Sequence, residues 1–260
     1  MRVFTQHLPT ILTLLALSCV SRESLAQSRT AHTIRIASNA IGTEATFAVL
    51  LPPDYETSTT RYPVVYLLHG GTQNHTAFPS RTWFNPDVSK RRMIVVMPYL
   101  QPFTFSGRDG RPAPVEEFLG RELPAYIDAN YRTIDNRQAR AIAGISMGGY
   151  GATLLGLKRP DVFGVVGAIS AALSTGTRPD GLASLVGGVT PETAAYFFIA
   201  CGLGDSVLPS SRGLAMQLRD RQIHSELHEV PGGHDWRVWD SQVRAFFDVL
   251  PKLPGWTATP

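Results

Sequence analysis

A serine serves as a nucleophile only when a base takes its proton and a third group holds that base in place. The best-placed serine in this chain is Ser146, framed by Gly144 and Gly148 as GxSxG within the stretch RAIAGISMGGYGATLLGLK (140–158). Glycines on both sides permit a sharp strand-to-helix turn that holds the hydroxyl clear of the backbone and beside a helix N-terminus. In a chain with 23 glycines among 260 residues the pattern alone is cheap, so its surroundings must carry the argument.

The GxSxG turn resembles that of α/β-hydrolases, in which the acid and the histidine follow the serine in chain order, and that resemblance excludes His32, His69 and His75 as the base. Of the rest, His224 and His228 lie four apart in HSELHEV and read as a polar strand face. Their neighbours Glu226 and Glu229 offer metal-ligating groups, but a strand does not converge them on one ion, so no metal and no cofactor is implied. His234 follows Pro231, Gly232 and Gly233 on a tight loop just past a strand, where an imidazole can reach inward, and is the expected base.

For the acid, Asp205 follows the apolar run 196–200 through Cys201, Gly202, Leu203 and Gly204, a turn at the same sheet edge. Asp180, Asp220 and Asp235 read instead as solvated or capping carboxylates. Acyl transfer further requires two N–H donors for the developing oxyanion, here expected from the backbone of Met147 and of Gly71 in the LLHGG turn.

The elements that must hold these groups alternate. Runs 32–38 and 46–51 read as an antiparallel opening pair, and 64–68 as a strand buried on both faces. Residues 74–90 read as a loop with a short helix, 93–97 as a buried strand, and 102–114 as a proline- and glycine-rich excursion of the kind that shapes a binding mouth. A helix follows from Pro114 to Asn130, interrupted by Pro124, and then the strand 140–143 leads into Ser146. Beyond the helix 147–158 come strands 165–170, 196–200 and 226–230, an irregular Gly/Thr/Ser-rich insertion 174–191, and helices 209–220 and after His234. This alternation predicts an α/β fold, a mostly parallel sheet of about eight strands with helices on both faces, whose C-terminal strand ends collect the chemistry.

Composition sets the class. With 43% hydrophobic and 17% charged residues the chain reads as one globular unit, and a net charge of +3 without a dense Lys/Arg cluster excludes nucleic acid as a partner. Arg2 and His7 precede an apolar run, 11–20, too short for a stable membrane span, and Ser24, Leu25 and Ala26 supply small residues for cleavage after Ala26. Residues 1–26 are thus expected to be a signal peptide and 27–260 a single catalytic domain, periplasmic or secreted. Ala16, Leu17 and Ser18 only partly resemble the motif that would make Cys19 a lipid anchor. Removing the leader leaves Cys201 as the sole thiol and excludes an internal disulfide.

LLHGG, the stretch ELPAYIDANYRTIDNRQARAIAGISMGGYGATLLGLKRPDVFG and PGGHDWRVW together resemble the Putative esterase family of α/β-hydrolases. That family includes S-formylglutathione hydrolases, feruloyl and acetylxylan esterases, enterochelin esterases and the antigen 85 mycolyltransferases. The resemblance implies the α/β-hydrolase fold, a serine carboxylesterase, the same Ser146, Asp205 and His234, and the donors Met147 and Gly71. The Tyr-x-Asp segment of many members is replaced by residues 103–109. The expected substrate is a small-molecule or carbohydrate-linked ester, acetyl or feruloyl. The alternatives are transfer of the acyl group to a sugar hydroxyl, or a non-catalytic carbohydrate-binding protein on a hydrolase fold. Acyl size and oligomeric state stay open.

Overall fold

The computed structural model describes residues 30–100, 105, 112–173 and 182–259. The expectations for the leader and its cleavage after Ala26, for Cys19, for Asp180 and for most of 102–114, including 103–109 apart from Phe105, lie outside the described residues.

Eight strands form one sheet: β1 (His32–Ser38), β2 (Thr43–Leu50), β3 (Val64–Leu68), β4 (Ile94–Pro98), β5 (Arg140–Ile145), β6 (Val165–Ile169), β7 (Tyr196–Gly202) and β8 (Ser225–Val230). Their spatial order is β1-β2-β4-β3-β5-β6-β7-β8. The hairpin β1-β2 and the pair β2-β4 are antiparallel, and every later pair is parallel. The reversal of order at β3 and β4 makes β5, and the turn after it, central.

Helices cover both faces. On one side lie α2 (Pro114–Glu117), a π-helical turn (Phe118–Glu122) and α3 (Leu123–Asn130) as one continuous rod, with α4 (Met147–Lys158), α5 (Leu182–Gly187) and α6 (Leu208–Asp220). On the other lie α1 (Phe84–Val88) and α7 (Trp236–Val249). Alternate residues of β3 divide between two cores, Val64, Tyr66 and Leu68 facing the first and Val65 and Leu67 the second. A strand apolar at every position is therefore one buried on both faces.

Several boundaries move. β2 begins three residues earlier than expected and ends at Leu50, β4 shifts forward by one, and β5 and β7 each run two residues further toward the site. The segment 174–191 is less irregular than its composition suggested, because α5 forms within it and buries Val186 against the core. The interruption at Pro124 is a π turn just upstream: Leu123 N–H reaches back five residues to the Phe118 carbonyl. Proline cannot donate to the Gly120 carbonyl four residues before it. The Arg159 guanidinium does so instead, at 2.6 Å.

Candidate active site

β5 delivers Ser146 into a backbone conformation, φ 53° and ψ −115°, that few non-glycine residues adopt. It is held there on several sides. Ser146 N–H donates to the Ile169 carbonyl at 3.0 Å, and its own carbonyl accepts from Tyr150 N–H at 3.0 Å and Ala172 N–H at 3.1 Å. The flanking glycines are a steric requirement: a Cβ on Gly144 would lie 2.5 Å from the Gly148 backbone, and one on Gly148 would lie 2.3 Å from the Leu68 carbonyl oxygen. α4 starts at the next residue, so Ser146 stands at its positive end.

Asp205 and His234 arrive on two loops laced together by their backbones. Leu203 N–H donates to Val230 O at 2.8 Å and Gly204 N–H to Gly232 O at 2.7 Å. Gly232, at φ 130°, takes a conformation that side chains resist. Asp235 then accepts from Arg237 N–H at 2.9 Å and starts α7, so it is a helix cap, as expected from its sequence position.

Ser146 Oγ lies 2.9 Å from His234 Nε2, and His234 Nδ1 lies 2.9 and 3.0 Å from the two oxygens of Asp205. The sequence-predicted trio thus forms one hydrogen-bond chain. With Nδ1–H donating to the carboxylate, Nε2 is left to accept from the serine hydroxyl. The Asp205 side chain is fully buried and the imidazole one-third exposed. Burial pushes the Asp205 carboxyl up, but Val207 N–H, donating at 3.0 Å, the Ser170 hydroxyl and the His234 ring together outweigh it and hold the group below the usual aspartate range. It therefore stays anionic beside the imidazole.

The two expected donors flank this chain. Met147 occupies the first turn of α4, where backbone N–H groups have no intrahelical acceptor. Gly71 follows β3, whose Leu68 pairs with Gly144 of β5, so its loop runs beside the serine turn. Gly70 N–H is committed to Gln73 Oε1 at 3.0 Å, whereas Gly71 is exposed with open space where a side chain would go. Thr72 holds a positive φ of 61°, unusual for a β-branched residue, which turns the loop sharply after Gly71.

The parts that two residues play in this region were not legible. His69 was set aside as a base by chain order alone; in the fold it is a buried clamp. Its Nδ1 lies 2.7 Å from the Gly70 carbonyl, and its Nε2 accepts from Leu100 N–H at 3.1 Å, tying the loop after β3 to the end of β4. Burial lowers its pKa and favours the neutral ring that these two contacts require. Trp239 packs its indole edgewise on the His234 ring at 5.0 Å, and only the helical spacing from Asp235 hinted at that placement.

The two histidines at and before β8 pack on β7. His228 stacks on Phe198 at 4.4 Å with Nε2 3.1 Å from Glu226, and His224 packs edge-on against Tyr196. Among the described residues no group of three or more His, Cys, Asp and Glu side chains could hold a metal ion, and no helix is long and apolar enough to cross a membrane.

An eight-stranded, mostly parallel sheet with this chain of groups at its C-terminal edge is the α/β-hydrolase fold. The Putative esterase family model matches residues 38–195, and the chain belongs to that family. That span includes Ser146 and Gly71 but ends before Asp205 and His234. Esterase Rv1288 of Mycobacterium tuberculosis is 31% identical, over 78% of this chain and 55% of its own. An endo-1,4-beta-xylanase/feruloyl esterase of Xylanibacter ruminicola is 35% identical over 55% of this chain and 20% of its own. Among solved structures, a ferulic acid esterase superposes with a TM-score of 0.76 at 25% identity, covering 86% of this chain and 97% of its own. The chain spans about half the length of the mycobacterial relative.

Proposed function

We propose that this protein is an exported serine carboxylesterase that cleaves sugar-linked acetyl or feruloyl esters through Ser146, His234 and Asp205, with residues 27–260 as its single catalytic domain. The reading rests above all on the unbroken hydrogen-bond chain from the Ser146 hydroxyl through His234 to the buried Asp205 carboxylate. His234 Nε2 takes the hydroxyl proton as Oγ attacks the ester carbonyl, and Asp205 stabilises the resulting imidazolium. The carbonyl oxygen becomes an oxyanion facing the N–H groups of Met147 and Gly71; each such donor is worth roughly 3–4 kcal/mol to the transition state. The tetrahedral intermediate collapses as His234 returns the proton to the departing alcohol. Water, deprotonated by the same imidazole, then attacks the acyl-serine and releases the acid.

The choice of ester class draws on the relatives named as a feruloyl esterase and a ferulic acid esterase, combined with the leader-like N-terminus. The test is turnover of 4-nitrophenyl acetate and methyl ferulate by wild-type protein and by Ser146→Ala. Wild-type turnover with a mass shift of one acyl group on the serine peptide supports the reading. Turnover that survives Ser146→Ala, or none on either ester, overturns it.

A further inference from the structure

A concavity lies against the oxyanion loop. It is an open depression of about 250 Å³ lined by Gln73, Asn74, Thr76, Ser80, Arg81 and Trp236. Two of these tie it to the chemistry: Gln73 holds the Gly70 N–H next to the Gly71 donor, and Trp236 stands two residues past His234. The leaving alcohol receives its proton from His234, so the alcohol half of an ester must lie on the His234 side of Ser146. A depression walled by Gln73, two residues past Gly71, and by Trp236, two residues past His234, is placed to receive it.

Its chemistry is polar and almost uncharged. Among the described residues the one ionic group in its wall, Arg81, is paired with Asp240, donating through Nε at 3.2 Å and Nη2 at 2.6 Å. The other polar lining groups are two amides and two hydroxyls. Asn74 Oδ1 accepts from Thr76 N–H at 2.8 Å and from its hydroxyl at 2.7 Å, which fixes both side chains before any ligand arrives. The indole is fixed as well, with Arg81 over its ring at 4.7 Å and Phe78 and Trp239 packed edgewise at 5.7 and 5.3 Å. Preset hydrogen-bonding groups beside a rigid aromatic surface, with no uncompensated charge, match a neutral polyhydroxylated ring and do not match a carboxylate or phosphate. The volume falls below the roughly 300–1,000 Å³ of sites that enclose a drug-sized ligand. It has room for one sugar ring.

We propose that this cavity is the leaving-group subsite, that it holds a single neutral sugar residue esterified to the acyl chain, and that Asn74, Thr76, Arg81 and Trp236 determine alcohol specificity. The inference rests on the esterase reading above, and its test separates the two. Two acetyl esters are compared, monoacetylated methyl β-D-xylopyranoside and ethyl acetate, with wild-type protein, the exposed-loop double variant Asn74→Ala/Thr76→Ala, and Trp236→Leu. The ratio of kcat/KM for the sugar ester to that for ethyl acetate should fall at least tenfold in both variants, mainly through KM. A ratio within twofold of wild type in both overturns the subsite while leaving the esterase intact. In parallel, Ser146→Ala protein is titrated with methyl β-D-xylopyranoside while the Trp236 indole N–H is followed by NMR. A saturable shift that disappears when Asn74→Ala/Thr76→Ala is added supports the subsite even if no ester is turned over. No shift up to the solubility limit of the sugar counts against it.

Discussion

The two ends of the sheet handle polar groups in opposite ways. At the N-terminal strand ends, Arg140 is buried and ion-paired, its Nη2 donating to Asp128 at 2.7 Å and Asp135 at 3.1 Å. Next to it, Arg137 ties down the carbonyls of Pro160, Thr193 and Ala194. At the C-terminal ends the backbone itself is bent: Thr72, Ser146 and Ser170 follow β3, β5 and β6 at φ 61°, 53° and 43°. Ser146 and His234 remain open to solvent there. One end uses its polar groups to hold the fold, and the other bends its backbone into costly conformations around Ser146 and His234, which stay open to solvent.

This contrast can be broken by substitution. The largest effect is expected at Ser146→Ala, a loss of roughly 10⁴–10⁶-fold in kcat on 4-nitrophenyl acetate with little change in thermal midpoint, read by stopped-flow and calorimetry. Asp205→Asn should follow with a loss of about 10⁴-fold, because the neutral amide no longer selects the Nδ1–H tautomer of His234. If either variant loses stability in proportion to activity, the C-terminal end is structural too.

The converse change is Arg140→Met. It strands a partly buried Asp128, at a cost of about 3 kcal/mol, the low end for a broken buried pair. For a domain of this size that lowers the thermal midpoint by roughly 6–12 °C. Specific activity per folded molecule should stay within twofold of wild type.

The smallest effect concerns acid. Asp205 is held below its unfolded-state value, so its ionised form contributes stability that is present above about pH 3.9 and lost as pH falls through the lower folded value. The stability difference between wild type and Asp205→Asn, measured by urea unfolding, should therefore be constant from pH 5 to 7 and shrink toward pH 3. A difference that grows on acidification would show that Asp205 is raised, not lowered.

Much of this arrangement was legible because its causes are local. GxSxG reports a steric condition within five residues, and the same condition recurs as the contacts of Gly144 and Gly148 with backbone across the turn. Asp205 and His234 were readable from strand-then-glycine patterns, which place side chains at a strand end wherever that strand lies in the sheet. Pro124 likewise announced an interruption, since a missing N–H is a property of one residue. The helix α5 was not legible, because its six residues lie among glycines and threonines and owe their helicity to packing of Val186 rather than to propensity.

What the chain determined by itself is therefore which groups were candidates for the site and the kind of element that bears each. Only the tertiary structure decided their neighbours: that β3 lies beside β5, that a buried His69 ties the loop after β3 to the end of β4, and that Arg81 reaches Asp240 across 159 positions in the wall of the depression that Trp236 also lines. Local sterics and hydrogen bonding act over a few residues and leave their mark in sequence, whereas strand order and cavity lining depend on which distant surfaces pack together, and no short stretch carries that information.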